Sequence, residues 1–298
     1  MSLSDIELST VKQPKSSEFI LRNEWRSSAM WNLTIGGSQH KNWYVNPYAE
    51  NNLNSIADIT SNITFVDANT QFDGRLAYKA GVLFARSSNF QKTNDNLSFK
   101  VQFAIRESPF NLILSGSGQS QLFPAFIVLP NDTILNSDKS LFSSFISPAS
   151  VLFSYGYSYS FPDKGNSKIE FGVCGGKSTF FWNQSIYNEL GEDELFGVKK
   201  GEFVKTEYGL NIKVDFKKLF TDYLTWENRS VFFISENDLL ADQWYKLADI
   251  EIRNTVLLFS GKFIKTRIEN SIQFDRDIGD KFQFKNLITI GLGNIYSR

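Results

Sequence analysis

The sequence predicts an all-β fold, a single antiparallel up-and-down barrel of about twelve strands, with about ten or fourteen as alternative counts. Three observations predict it. Apolar and charged side chains alternate with period two in segment after segment. Short and long connections alternate along the chain. Aromatic residues gather beside the short connections.

Period-two alternation marks a strand, because successive side chains of a strand point to opposite faces. Residues 71–86 carry Phe72, Leu76, Tyr78, Val82 and Phe84 on one parity and Asp73, Arg75 and Lys79 on the other. Residues 97–105 set Leu97, Phe99, Val101, Phe103 and Ile105 against Ser98, Lys100 and Gln102. Residues 204–216 set Tyr208, Leu210, Ile212, Val214 and Phe216 against Lys205, Glu207, Asn211, Lys213 and Asp215. Strands are expected near 29–37, 54–66, 71–87, 96–106, 110–120, 149–161, 167–176, 204–217, 221–234, 245–258, 262–274 and 281–295. Most reach the roughly 9–11 residues that a tilted strand needs to cross a bilayer.

The connections at 67–70, 107–109, 162–166, 218–220 and 259–261 are short. Those at 38–53, 88–95, 121–148, 177–203, 235–244 and 275–280 are mostly longer. Outer-membrane barrels pair short periplasmic turns with long extracellular loops, and an even strand count puts both chain ends on the short-turn side. The expected location is therefore the outer membrane, with its lipid bilayer as the immediate partner. Phe65, Phe72, Tyr159, Phe161, Phe216 and Phe263 flank short turns on the apolar parity, as an interfacial girdle would.

Composition narrows the function. The 31 Lys and Arg nearly balance the 32 Asp and Glu, for a net charge of −1. A nucleic-acid partner, which favours a basic domain, is not expected. The single cysteine, Cys174, rules out an intrachain disulfide framework and reads as a buried thiol. No segment approaches the roughly 20 apolar residues of a membrane helix, a criterion that strands escape. Met1–Glu7 has no apolar signal core, so an outer-membrane location expects a signal peptide that was removed or replaced. Residues 1–28 read as a partly disordered N-terminal extension and 29–298 as the barrel. Phe19, Leu21 and Trp25 suggest that residues 18–28 dock at the periplasmic mouth.

No motif for catalysis, metal or cofactor stands. Gly172-Val-Cys-Gly-Gly-Lys-Ser178 has three residues before its Gly-Lys-Ser where a phosphate-binding loop needs four. Ser115-Gly-Ser-Gly118 lacks the Gly-x-Ser-x-Gly of a nucleophile elbow. His40, the only histidine, falls in the expected 38–53 loop with no assignable serine and acid. Glu189, Glu192, Asp193 and Glu194 read as a solvated loop cluster, since their spacing matches no calcium loop. The chain therefore reads as a non-enzyme without a cofactor.

The charged parity remains. Arg75, Lys79, Lys100, Glu207, Lys213, Glu227, Arg229, Glu251, Arg253, Arg267 and Glu269 are the candidate lumen-lining residues. Charges of both signs could line a narrow polar pore or pair and close it. Three readings stay open: a narrow channel or transport-related barrel, a closed structural or interaction barrel within an envelope complex, and a soluble β-sandwich binding protein.

A set of short motifs adds a resemblance. Asp95-Asn-Leu97, Ser147-Pro-Ala149, Phe196-Gly-Val198, Gly201 and Glu207-Tyr-Gly209, in that order, resemble a family of Bacteroidota envelope proteins defined as a domain of unknown function. The similarity runs from about Trp25 to the C-terminus. It implies an outer-membrane barrel and carries over no catalytic residue.

Overall fold

A computed structural model of the protein describes residues 23–41, 52–83, 91–107, 109–128, 139–161, 167–236, 248–260, 263–275 and 281–297. The first five strands are β1 (Glu24–Lys41), β2 (Asn52–Val66), β3 (Thr70–Leu83), β4 (Gln91–Arg106) and β5 (Phe110–Ser120). A small hairpin follows, β6 (Ala125–Val128) with β7 (Lys139–Ser143), then the long strands β8 (Ala149–Ser160) and β9 (Lys168–Phe180). Next come helix α1 (Ser185–Leu190) and a two-residue hairpin, β10 (Glu194–Leu195) with β11 (Val198–Lys199). The chain finishes with β12 (Val204–Thr221), β13 (Leu224–Ser235), β14 (Asp249–Ser260), β15 (Ile264–Phe274) and β16 (Gln283–Ser297).

Twelve of these strands form one closed antiparallel barrel, in the order β1-β16-β15-β14-β13-β12-β9-β8-β5-β4-β3-β2. The seam joins the first strand to the last, from Ser28 opposite Ser297 to Lys41 opposite Phe284. This overturns the β-sandwich alternative: one sheet curls until its own edges pair, so no second sheet is needed to cover an apolar face.

The alternation in the sequence becomes an outside and an inside. On β1, Leu33 is 51% exposed while its neighbours Asn32 and Thr34 are 5% and 7% exposed. The same holds for Phe99, Val101 and Phe103 on β4 against buried Gln102. Water-soluble folds bury such residues, whereas a barrel in lipid turns them outward. No helix among the described residues is long and apolar enough to cross a membrane; the crossing is made by strands.

Aromatic pairs mark the short-turn rim. Ring centroids of Trp25 and Phe65 lie 4.8 Å apart, those of Phe110 and Tyr159 5.4 Å, those of Tyr159 and Phe161 5.2 Å in an edge-on contact, and those of Phe216 and Trp226 5.1 Å. Trp25 was expected in a docking extension, but β1 begins at Glu24 and Trp25 is an exposed wall residue. At its other end β1 runs on to Lys41, so the backbone of His40 belongs to a strand, not a loop; its side chain lies outside the described residues, as do residues 1–22.

Strand β9 carries a bulge. Tyr155 pairs with Cys174 and Gly156 with Gly172, leaving Val173 as the extra residue. The insertion shifts the parity by one, so Val173 and Cys174 both face outward. Cys174 is consequently exposed, not buried as the sequence suggested. Gly156 is required beside the bulge, since a Cβ there would stand 1.8 Å from the Phe171 carbonyl oxygen.

The outer wall is not wholly apolar. Asn228, Asn254, Asn270 and Asn286 lie level with one another on β13 to β16. Asn228 Nδ2 donates to Asn254 Oδ1 at 2.8 Å, and Asn270 Nδ2 donates to Asn286 Oδ1 at 2.7 Å. This amide row runs among the outward side chains of Ile252, Val256, Ile268 and Ile272.

Above the long-loop rim, the segments expected as open loops fold together. Phe181, Ile186, Tyr187 and Val198 form a fully buried cluster, with Leu141, Leu190, Leu195 and Phe196 packed against it. Phe196 and Gly197, the central residues between β10 and β11, have φ of 53° and 76°. Positive φ at both is the signature of a type I′ turn, the two-residue hairpin connection that matches strand twist. Glu189, expected to be solvated, accepts a hydrogen bond from the Leu141 backbone N–H at 2.6 Å.

Candidate functional site

Among the described residues, charged side chains from distant strands meet in the interior of the barrel. Lys168 on β9 donates to Gln102 on β4 at 3.0 Å, although β8 and β5 separate those strands around the wall. Lys168 also binds Glu170 at 2.6 Å, and Lys100 approaches Glu170 at 3.6 Å and Asp215 at 4.0 Å. Lys213 Nζ donates to Ser115 Oγ at 3.5 Å, and Ser115 shares a 2.7 Å hydrogen bond with Ser154. Such contacts are made only by side chains pointing inward. They fill the part of the lumen beside β4, β5, β8, β9 and β12. Glu170, with its side chain 2% exposed, sits at the centre of the cluster.

The other side of the lumen is built differently. Arg253 pairs with Glu251 at 2.9 Å and approaches Glu269 at 3.9 Å; Arg267 also binds Glu269. Lys217 pairs with Glu227 at 2.9 Å. Water reaches these groups: the Arg253 side chain is 44% exposed and that of Glu227 is 39% exposed. Across the bore from them, Arg75 on β3 is exposed as well. Toward the long-loop rim, Lys177 bridges across to Asp249 and Asp275.

All eleven candidate residues therefore lie on the inner parity, but in two settings. Lys100 and Lys213 belong to the packed side; Glu227, Arg229, Glu251, Arg253, Arg267 and Glu269 to the side that includes the wetted groups, with exposed Arg75 on β3 facing them across the bore. Lys79 lies opposite Asp58 on the inner face, and Glu207 pairs with Lys205 at 3.3 Å. Sequence reasoning missed Lys168, Glu170 and Lys177. The alternation of Lys168 and Glu170 was visible, but the bulge at Val173 broke the pattern before Lys177.

The resemblance motifs lie mostly at the long-loop rim, although Glu207 of the last one is also a lumen charge. Asp95 accepts hydrogen bonds from the backbone N–H groups of Leu122 and Phe123 at 3.1 and 2.7 Å. Ser147 Oγ accepts from the Asn183 backbone N–H at 2.7 Å. Gly201 donates its N–H to Gln184 Oε1 at 3.0 Å. These residues fasten the folded loops to the wall. Within that cap the Tyr187 hydroxyl donates to the Val198 carbonyl at 2.8 Å. Burial, reinforced by the charges of Glu194 and Glu202, pushes the Tyr187 phenol up to about 12. No group of His, Cys, Asp and Glu among the described residues is arranged to hold a metal ion.

A closed antiparallel barrel, apolar outside and charged within, with short turns at one rim and long loops at the other, defines a transmembrane β-barrel of the outer-membrane type. Solved structures share that barrel at low identity. The translocator domain of autotransporter NalP from Neisseria meningitidis matches at 10% identity, over 91% of this chain and 88% of that one, with a TM-score of 0.39. An outer-membrane channel from Pseudomonas putida F1 matches at 8% identity, over 95% and 100%, with a TM-score of 0.42. Outer membrane phospholipase A from Escherichia coli matches at 8% identity, over 89% and 92%, with a TM-score of 0.40. No protein-family model matches the sequence, and no curated protein matches it.

Proposed function

We propose that the protein is a narrow, non-enzymatic channel of the outer membrane that passes small polar solutes. One observation carries this reading: charged side chains on the inner wall, Arg75, Glu227 and Arg253 among them, are open to water inside a barrel whose outer wall is mostly apolar. Such an interior suits conduction, since polar lumens carry water through barrels of this class. The resemblance to Bacteroidota envelope proteins supports the same location.

Conductance in planar lipid bilayers tests the reading. Discrete steps from the purified protein support a channel; a silent bilayer with correctly folded protein overturns it.

A second reading has its own observation. The Lys168–Gln102 and Lys100–Glu170 contacts reach over β5 and β8 and occupy one side of the bore. A barrel closed in this way would serve as a structural or interaction subunit of the envelope. Silence in the bilayer assay favours that alternative.

A further inference from the structure

The register of the sheet places like charges face to face on the inner wall. Arg229 on β13 lies directly opposite Arg253 on β14. Arg75 on β3 lies directly opposite Lys100 on β4. Directly opposed like charges destabilise a sheet. A one-residue slip cannot relieve them, because it would turn every lipid-facing apolar residue of the strand inward.

The two pairs also face each other. Arg75 lies within electrostatic range of Arg229, Arg253 and Arg267 across the bore, as well as of Glu227. Some of this charge is compensated: Glu251 and Glu269 attend Arg253 and Arg267, and Glu170 attends Lys100. Arg75 and Arg229 have no ion pair among the described residues. Two guanidinium groups without an ion pair thus share the lumen; the acids near them are Asp215, directly opposite Arg229 on β12, and Glu227, within electrostatic range of Arg75.

We propose that Arg75, Arg229 and Arg253 form the binding and selectivity element of the lumen for small anionic solutes that bear a carboxylate, phosphate or sulfate group. The proposal rests on the channel reading and adds the solute class. Guanidinium groups suit this role because each presents a planar fork of donors that binds such oxyanions bidentately. Rings of Arg and Lys act in this way in anion-selective pores. The low-dielectric wall outside concentrates their field along the bore. An anion between the two walls offsets the repulsion that the register imposes.

The test is the reversal potential in a potassium chloride gradient, for the wild type and for R75Q/R229Q, with folding of each checked by heat-modifiability on a gel. The wild type is expected to prefer chloride over potassium several-fold, and R75Q/R229Q to fall to near unity. Inorganic phosphate is expected to reduce the wild-type chloride current and to leave the variant's unchanged. R75K/R229K is expected to keep the chloride preference and lose most of the phosphate block, since Lys lacks the fork. A conducting wild type without anion preference, or a double variant with the preference intact, overturns the anion site and leaves the channel reading standing. A wild type that does not conduct overturns the channel reading. The site is then decided by melting in detergent: a phosphate-dependent rise lost in R75Q/R229Q upholds it, and no phosphate dependence overturns it.

Discussion

Arg229 and Arg253 stand directly opposite each other on neighbouring strands, both side chains on the inner face of the barrel. Arg253 is held by Glu251, whereas Arg229 has no ion pair among the described residues. Removing the Arg229 charge should therefore relieve a repulsion without breaking an ion pair, at the cost only of its longer-range attraction to Asp215 opposite it on β12. Arg229→Gln is expected to leave stability unchanged or raise it by about 0.2–1 kcal/mol, read from thermal unfolding in detergent. A clear loss of stability would show that Arg229 holds the wall together.

Glu170 is the reverse case. It is the carboxylate between Lys168 and Lys100, with Lys213 opposite it on β12. Glu170→Gln removes the counter-charge of buried Lys213 and half-buried Lys168 and Lys100. One-sided removal from a buried pair typically costs about 3–5 kcal/mol, an upper bound here because two of the lysines are partly exposed. Combining it with Lys168→Met is expected to restore part of the loss. Urea unfolding of the single and double variants gives the comparison, and additive losses would mean that the pair does not act as a unit.

The two faces of β4 should differ in tolerance. Val101 is 40% exposed on the outer wall. Val101→Lys is expected to cost about 2–4 kcal/mol if the residue lies near the bilayer centre. Ser98→Asn on the inner face should be nearly neutral. Refolding yields into vesicles measure both, and equal tolerance would contradict the assignment of outside and inside.

The amide row on the outer wall makes a prediction of sign. Asn254→Val alone leaves the Asn228 donor without its acceptor, a loss of about 1–3 kcal/mol where water is excluded. Replacing both, as Asn228→Val with Asn254→Val, removes donor and acceptor together and is expected to be neutral or stabilising. Unfolding in detergent and in vesicles distinguishes the two. A double variant worse than the single would show that the row is needed by something beyond the wall itself.

The loop cap should respond to pH separately from the barrel. The Tyr187 phenol is raised in the folded state, so its neutral form is favoured there. The stability it contributes is complete below the ordinary phenol value of about 10 and is lost as pH climbs through about 12. Proteolysis of residues 185–200 is expected to quicken across that window while the barrel keeps its mobility shift. Tyr187→Phe should abolish the pH dependence.

The barrel was legible because a membrane wall imposes the simplest pattern a strand can carry. Residues 204–216 alternate cleanly, and β12 is found at Val204–Thr221. Prediction failed where another force overrode the alternation. The bulge at Val173 inverted the parity of β9 and brought out Cys174. The cap escaped because its core gathers Leu141, Phe181, Ile186 and Val198 from two loops that no local pattern connects. The lumen charges were visible as a parity, but their pairing was not. Which cation meets Glu170 depends on contacts across the bore, and no period along one strand encodes that distance.

The seam between β1 and β16 fixes the order of events in assembly. Its partners stand at opposite ends of the chain, Ser28 beside Ser297 and Leu33 beside Leu292. Until β16 is present, the unfinished barrel is an open sheet with two bare edges, β1 and β15, carrying unsatisfied backbone groups next to outward Trp31 and Ile35 on one and Ile264 on the other. Closure is thus the most non-local step the topology contains, and non-local pairing is slow. A chain cut short before its last strand would have no way to seal, however sound the other eleven, and would be sticky in proportion to the time it waits.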